Sequence, residues 1–276
     1  MKDMGTYINF GKGENALAEH LVMTEHSTLI GGTTGSGKSV LVHDILYAIN
    51  ELSEMADVGV YLVDPKKVEL SRYTRFNWVE GYGCDVNDIL DVVEKLNARM
   101  EWRFQYMQDH DMVKFTGKPL YLIIDELVDI SANLETDKQL KAIKRKIEHY
   151  MIRIASLGRA SNIHIIGCTQ RPTADVISPV IKAQFTARVG LRTATPQESI
   201  NIIDQKGCED LPHNGTCYYR SPVNGFCKVN VPFNEEYENL PLTVPKRPIV
   251  VETHHQTTAP KRRPFMDFLQ TLSFYF

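Results

Sequence analysis

A glycine-rich segment that follows a short apolar run constrains this chain more than any other feature. Residues 32–39 read Gly-Thr-Thr-Gly-Ser-Gly-Lys-Ser and come directly after the run at 27–30. The three glycines let the backbone fold so that its N–H groups point inward at a polyphosphate. The apolar, periodic segment at 40–46 predicts a helix whose positive N-terminal end faces the same anion. Strand, glycine turn and helix thus occur in the order that the phosphate-binding loop G-x-x-x-x-G-K-[ST] requires.

This loop predicts which residues hold a nucleoside triphosphate. Lys38 places an ammonium group against the β- and γ-phosphates, and the Ser39 hydroxyl can ligate Mg²⁺. The predicted nucleotide-binding residues are Gly32, Thr33, Thr34, Gly35, Ser36, Gly37, Lys38, Ser39 and Val40. A chance glycine-rich turn is the alternative, and the matching elements on both sides argue against it. We therefore predict that the chain binds ATP together with Mg²⁺.

A second buried-strand pattern, at 120–124, ends in two adjacent carboxylates, Asp125 and Glu126. The carboxyl ends of neighbouring parallel strands open on the same crevice. Asp125 is therefore predicted to hold Mg²⁺ through water or Ser39, and Glu126 to polarise the attacking water. A strand that merely ends in two solvated acids is the alternative, but the phosphate loop upstream favours the catalytic interpretation. The Asp-Glu pair, without a guanine-reading N-K-x-D motif, favours a hydrolytic ATPase.

The composition is that of a globular protein without a dominant charge. The chain has 276 residues, of which 43% are hydrophobic and 24% charged, and its formal net charge is −3. This charge gives no global attraction to nucleic acid, so such binding needs a local basic patch. The five cysteines show no C-x-x-C spacing, and Cys168 and Cys217 lie in apolar runs, so buried thiols in a reducing compartment are expected. We expect a cytoplasmic protein, because no run approaches a membrane span and the first residues lack a signal-peptide pattern.

Strand and helix patterns alternate along the chain, which predicts an α/β fold with a mostly parallel sheet and helices on both faces. Amphipathic helices are predicted at 86–107 and 136–157, because apolar residues recur there every three or four positions. Further strands are predicted at 58–63, 120–124, 163–168 and 186–191. Residues 7–10 and 17–23 are expected to form antiparallel strands ahead of the first core strand.

The sequence divides into three stretches. Residues 1–26 are expected to supply the N-terminal strands, and residues 27–232 to form the ATPase core. From residue 233 the composition changes to acidic residues, repeated prolines and a polar run, which is typical of a linker or extended arm. This arm, 233–276, ends in the basic run 261–263 and an aromatic tail at 265–276.

Several separate segments share their order and residue types with one known family. They are 32–40, 63–70 (Val-Asp-Pro-Lys-Lys-Val-Glu-Leu), 101–104, 123–129, 158–164 and, most specific, 169–172 (Thr-Gln-Arg-Pro) followed by 175–177. Together they resemble the motor domains of the FtsK/SpoIIIE family, within the FtsK–HerA group of P-loop ATPases. The resemblance covers roughly residues 6–220 of the chain.

This resemblance implies a RecA-like core that works as a ring, usually of six subunits, and pumps double-stranded DNA with ATP. It implies that Gln170 senses the γ-phosphate, and an amide suits this role because it can both donate to phosphate and accept from water. A Gln that only caps a strand end is the alternative. A ring also needs an arginine that reaches the neighbour's ATP. The candidates within the stretch that the resemblance covers are Arg103, Arg159, Arg171 and Arg188.

The chain also departs from the family pattern. Ile200 stands where an arginine is usual, and the segment at 207–219 matches loosely, which concerns the contact between subunits more than the ATP site. The resemblance does not extend to the family's membrane-spanning part or to its DNA-orienting winged-helix module. We therefore expect a compact motor of a plasmid, phage or other mobile element, serving conjugative transfer or packaging. A relaxase, a packaging protein or a membrane-associated protein is the expected partner.

The helix predicted at 136–157 carries candidate DNA-contacting residues. Lys138, Lys141 and Arg145 share one face of the helix predicted at 136–157 and could track phosphates in the pore of a ring. A solvated basic face is an equally good interpretation.

Two alternative functions remain open. One is a related secretion ATPase that acts on a polypeptide, and the other is an ATP-binding adaptor that recruits a partner. Stimulation of ATP hydrolysis by duplex DNA separates the three.

Overall fold

The eight strands in the described part of the computed structural model join in one sheet. The structure describes residues 10, 16–173, 176, 179–213 and 215–231. The strands are β1 Ser27–Gly31, β2 Gly59–Val63, β3 Val79–Gly83, β4 Leu120–Ile124, β5 Ile163–Thr169, β6 Ala187–Gly190, β7 Thr216–Ser221 and β8 Gly225–Asn230. Their order is β3-β2-β4-β5-β1-β6-β7-β8. The first six strands in this order, β3 through to β6, are all parallel and include β1 and β2. The last two, β7 and β8, extend the sheet in antiparallel pairing. The predicted α/β fold with a mostly parallel sheet is confirmed.

Helices cover both faces of this sheet. They are α1 Ala16–Thr24, α2 Lys38–Met55, α3 Val86–Asp109, α4 Leu127–Ile130, α5 Lys138–Leu157, α6 Pro179–Gln184 and α7 Pro196–Ile203. One hydrophobic cluster packs α1 and α2 against one face, and a second packs α3 and α5 against the other. The strand β4 is buried along its whole length, which explains its unbroken apolar sequence. No helix within the described ranges is long and apolar enough to cross a membrane.

The two long helices lie where the apolar periodicity predicts them. Asp85 begins α3 as its N-cap, and its carboxylate accepts the backbone N–H groups of Asn87 and Asp88. Asp137 caps α5 in the same way. Because an N-cap side chain satisfies N–H groups that have no helical acceptor, these two aspartates fix where the helices begin.

The predicted strand at 17–23 is wrong, because these residues lie in the helix α1. Leu17 and Leu21 are four positions apart, as are Ala18 and Val22, and all four side chains are buried against the core. This spacing places them on one helical face, whereas a strand would alternate them between two. Residues 7–9 of the other predicted strand lie outside the described residues, and so does the predicted arm at 233–276.

Asp44, in the middle of α2, is a buried carboxylate. Its side chain is fully buried, and within the described part of the chain neither oxygen has a hydrogen-bond partner. Burial penalises the charged form and raises the pKa of Asp44 from its ordinary value near 3.8 to about 7. The folded chain therefore keeps a proton here that the unfolded chain releases in mild acid.

Replacing Asp44 by asparagine is expected to stabilise the protein at neutral pH relative to the parent. The raised pKa lowers the parent's free energy of unfolding by up to about 1.4 kcal/mol per pH unit between about pH 4 and about pH 7. Asparagine has no proton to release, so the variant's advantage should grow across this window, by at most roughly 4 kcal/mol. Denaturant unfolding at pH values across the window measures it. The exposed Asp91→Asn on α3 is the control, and identical pH profiles for parent and Asp44→Asn would contradict the prediction.

Candidate active site

Strand order brings the predicted ATP-site residues to one edge of the sheet. The phosphate loop follows β1, the acidic pair Asp125 and Glu126 follows β4, and Gln170 follows β5. The strand β5 lies between β1 and β4 and runs parallel to both. The three carboxyl ends therefore open on the same crevice, with Gln170 between the loop and the acidic pair.

The loop at 32–37 has a backbone that its glycines make accessible. Gly35 and Gly37 have φ angles of 78° and 96°, in the left-handed region that glycine adopts without strain. A Cβ on Gly32 would lie 2.5 Å from Ser36 Oγ, so a larger residue would not fit there. Ser36 Oγ is itself buried, without a hydrogen-bond partner in the described ranges. A tight cradle with an unsatisfied donor fits a phosphate group.

The N-terminus of α2 supplies further donors to this cradle. The helix begins at Lys38, and its N-cap residue, Gly37, has no side chain that could accept a hydrogen bond from the first N–H groups. The first N–H groups of a helix have no helical acceptor, and the helix dipole adds positive potential there. Phosphate oxygens would satisfy these donors, so the residues present fit the triphosphate of a nucleotide.

Lys38 is buried at the centre of the site and forms an ion pair with Asp125. Its Nζ lies 2.9 Å from Asp125 Oδ1 and 3.1 Å from the carbonyl oxygen of the same residue. The two side chains are only 3% and 1% exposed. Burial lowers the pKa of Lys38, but the acidic groups around Nζ outweigh it and raise the pKa above its usual value. The lysine is thus a buried cation, bonded to the residue predicted to hold the metal.

Glu126 is buried and fixed by backbone donors. Its Oε2 accepts the N–H of Gln170 at 3.1 Å, and its Oε1 accepts the N–H of Val128 at 3.3 Å. The hydroxyl of Thr34 donates to the Gln170 amide oxygen at 3.2 Å. Gln170 therefore connects Glu126 to the phosphate loop, and its role as a γ-phosphate sensor stays a prediction.

The loop after β2 adds residues that sequence reasoning left out of the site. Lys66 Nζ lies 3.7 Å from Glu126 Oε2. Ser39 Oγ donates a hydrogen bond to Glu69 Oε1 at 3.1 Å, and His43 Nε2 lies 3.3 Å from Glu69 Oε2. Two signals were available for Lys66 and Glu69. The segment 63–70 resembles the family, and the strand pattern at 58–63 predicts a strand that ends nearby, as β2 does beside its parallel neighbour β4.

Two of the four candidate arginines are engaged within their own chain. Arg103 is 4% exposed and donates to the carbonyl oxygens of Lys118, Ser161 and Asn162. Arg188 pairs with Asp204 and donates to backbone carbonyls.

Burial and these bonds do not support Arg103 as the arginine that reaches a neighbour, and Arg188 could reach one only by leaving Asp204. Arg159 and Arg171 are exposed, so their side chains are accessible from outside the chain. Arg171 also comes directly after Gln170, at the edge of the sheet where the ATP-site residues lie.

The three predicted DNA-contacting residues lie on α5, but not all of them point into solvent. Lys138 and Arg145 are exposed. Lys141 is half-buried, and its Nζ donates to the carbonyl oxygen of Glu135 at 3.2 Å. The predicted basic face is therefore present, with one of its three cations engaged at the beginning of the helix.

Comparisons with known proteins identify relatives of this chain. Residues 7–119 match the FtsK/SpoIIIE family. A protein named DNA translocase FtsK, from Campylobacter jejuni, is 30% identical over 239 residues, which cover 81% of this chain and 24% of that protein. The chain thus spans about a quarter of the length of the curated relatives it matches.

Solved structures show the same fold. The pCW3 conjugation coupling protein TcpA, in a monomer form with ATPγS, superposes with a TM-score of 0.69 at 23% identity, over 79% of this chain and 63% of that one. The cytoplasmic domain of the Thermomonospora curvata type VII secretion ATPase EccC superposes with a TM-score of 0.59 at 18% identity, over 76% and 26%. Family match, sequence relatives and fold lead to one assignment. The chain belongs to the FtsK/SpoIIIE family of P-loop ATPases.

Proposed function

We propose that this chain is the ATP-hydrolysing motor domain of a DNA translocase. The observation that carries the proposal is the convergence of Lys38, Asp125, Glu126 and Gln170 on one crevice beside the phosphate loop. That set offers a cation for the phosphates, a carboxylate for the metal, a candidate base and a candidate sensor, which are kinds of group that phosphoryl transfer to water uses. The relatives named DNA translocase FtsK support DNA as the substrate that is moved.

Binding of ATP would rearrange the pair between Lys38 and Asp125. Phosphate oxygens compete with Asp125 for the ammonium group of Lys38, because both are anionic acceptors. Release from Lys38 would free the Asp125 carboxylate, which would hold Mg²⁺ together with Ser39. The metal, when bound, supplies positive charge that neutralises the phosphates. The ion pair thus holds both side chains in place until the substrate would separate them.

Glu126 is the proposed general base. Its carboxylate is held by the N–H groups of Gln170 and Val128, so its position does not depend on a mobile side-chain contact. It would accept a proton from the attacking water while Gln170 contacts the γ-phosphate. Because Gln170 bonds both Glu126 and Thr34, a change at the phosphate can reach the base through one residue.

A ring, most simply of six subunits, is part of the proposal. In a ring, an arginine of one subunit can stabilise charge at the ATP of the next. Arg171 and Arg159 are the favoured candidates because both are exposed. Mixing inactive Lys38→Ala subunits with inactive Arg171→Ala or Arg159→Ala subunits should restore some activity. A monomer that hydrolyses ATP at full rate would contradict the ring.

Duplex DNA is expected to stimulate ATP hydrolysis, and neutralising Lys138, Lys141 and Arg145 together should reduce that stimulation. These cations lie on α5, the second helix after the Asp125–Glu126 strand end, so phosphate contacts there could be coupled to the site. Basal hydrolysis should change little. DNA affinity should be indifferent to sequence, and its dependence on salt should become less steep by roughly one unit of slope for each phosphate that is no longer neutralised. Steady-state phosphate release and DNA binding at several salt concentrations measure both effects.

A matched control neutralises three other exposed cations, Lys95, Arg99 and Lys114, none of which belongs to α5. Parental stimulation and salt slope in the α5 triple variant would show that its basic face is only solvated. No stimulation of the parent itself would contradict DNA as the substrate and leave the secretion ATPase. Almost no turnover under any condition would favour the ATP-binding adaptor. A role in conjugative transfer or packaging stays a prediction.

A further inference from the structure

The Ser39 hydroxyl donates to a carboxylate that lies outside the phosphate loop and outside the acidic pair. Ser39 Oγ is 3.1 Å from Glu69 Oε1, whereas Asp125 is engaged by Lys38. A hydroxyl that ligates a cation through a lone pair must direct its O–H away from that cation, towards an acceptor. Glu69 is such an acceptor, and it is already in place.

Glu69 is itself oriented by a buried side chain of α2. The ring nitrogens of His43 lie 3.3 Å from Glu69 Oε2 and 2.7 Å from the Tyr73 hydroxyl. Burial lowers the pKa of His43, which favours the neutral ring, with one donor and one acceptor nitrogen. Nε2–H then donates to Glu69, and Nδ1 accepts from Tyr73, which is fully buried. Each oxygen of Glu69 thus receives one hydrogen bond, so the carboxylate has a defined orientation.

We propose that Glu69 is a positioning residue of the ATP site, which holds the Ser39 hydroxyl so that its lone pair faces the metal. This inference rests on the proposed function, since it assumes that Ser39 binds Mg²⁺ beside ATP. Glu69 would not touch the metal but would act through Ser39, as outer-shell partners of metal ligands do. His43 and Tyr73 act one step further out, by keeping Glu69 in its orientation.

The same loop contacts the base. Lys66, three residues before Glu69, lies 3.7 Å from Glu126 Oε2 and is 44% exposed. The segment from Lys66 to Glu69 therefore reaches the metal-binding hydroxyl at one end and the general base at the other. Asp64 anchors this segment at the end of β2, because its Oδ2 accepts the N–H groups of Leu70 and Ser71.

The test is the Mg²⁺ dependence of nucleotide binding by Glu69→Ala and Glu69→Gln. A fluorescent, slowly hydrolysed ATP analogue is titrated in EDTA and at increasing Mg²⁺. We expect Glu69→Ala to bind the analogue in EDTA within about twofold of the parent, because the phosphate cradle and Lys38 are intact. The Mg²⁺ concentration that gives half of the metal-dependent tightening should rise by about 10-fold or more, as for other outer-shell partners of metals.

Two controls separate positioning from a general loss of structure. Val68→Ala changes a neighbouring, 70% exposed residue of the same loop and should match the parent. Ser39→Ala should reproduce the Mg²⁺ defect, and the double variant with Glu69→Ala should be no worse than Ser39→Ala alone, since both remove one function. Glu69→Gln keeps the side-chain volume and should give a defect in the same direction.

Three outcomes decide the matter. Parental Mg²⁺ titrations of Glu69→Ala and Glu69→Gln would overturn the proposal. Additive effects of the Glu69 and Ser39 substitutions would also overturn it, because Glu69 would then act independently of Ser39. A parent that does not bind the analogue at all would instead contradict the proposed function.

Discussion

Replacing Glu126 by glutamine is expected to leave ATP bound while turnover falls by about 10²–10⁴-fold, the range that a general base contributes. The amide has almost the shape of the carboxylate, and its oxygen can still accept the N–H groups of Gln170 or Val128. It cannot accept a proton from the attacking water. Equilibrium binding of a fluorescent ATP analogue and steady-state phosphate release with duplex DNA measure the two halves of the prediction.

A matched control for this substitution is Glu148→Gln. The Glu148 carboxylate also accepts a backbone N–H, that of Ala132 at 2.9 Å, but it belongs to α5 and not to the edge of the sheet that carries the ATP site. It should leave both binding and turnover near the parent. Normal turnover in Glu126→Gln would assign the base to another group. Loss of binding would show instead that the carboxylate is needed to build the site.

The long elements could be predicted because their patterns are periodic or unbroken. The helices at 86–107 and 136–157 and the strand at 120–124 bury regular sets of apolar side chains, so local sequence determines them. The strand β3 gave no such signal, since it contains Gly81 and Gly83 and is only half-buried over most of its length. It is held by parallel pairing with β2, a contact that no local pattern encodes.

The hairpin of β7 and β8 could have been predicted and was not. Asn224 precedes Gly225, which has a φ of 67°, and an Asn-Gly pair between two apolar alternations is a strong turn signal. The wrong prediction of a strand at 17–23 arose because the local sequence there is ambiguous. Seven residues are too few to separate a helical from an alternating pattern, and packing of α1 against α2 decides between them.

Within the candidate site, motifs predicted residues that come soon after a strand in the sequence. They did not predict contacts between segments that are far apart in the sequence. Lys38, Asp125, Glu126 and Gln170 each belong to a recognisable local motif. The bond between Ser39 and Glu69 joins residues 30 positions apart, and nothing in either segment alone indicates it. The Arg103 candidate shows the same limit, since its burial depends on carbonyl groups contributed by two other segments.

Replacing Lys38 by alanine is expected to lower nucleotide affinity by roughly 100-fold or more. Charge-assisted hydrogen bonds contribute about 1.5–3 kcal/mol each, and the ammonium group would contact both the β- and the γ-phosphate. The backbone N–H groups of the loop remain in the variant, but they carry no full charge. Equilibrium binding of a fluorescent ATP analogue measures the loss, and near-parental affinity would show that Lys38 does not contact the phosphates.

The same substitution should also destabilise the folded protein, which must be separated from the loss of binding. Without Lys38, the Asp125 carboxylate stays buried and unpaired, and breaking a buried ion pair in this way costs about 3–5 kcal/mol. The double variant Lys38→Met with Asp125→Asn removes the charge on both sides and should recover most of that stability. Denaturant unfolding of the single and double variants tests this. Because the double variant still lacks the ammonium group, it should regain stability without regaining nucleotide affinity, and recovery of both would mean that the defect lay in folding alone.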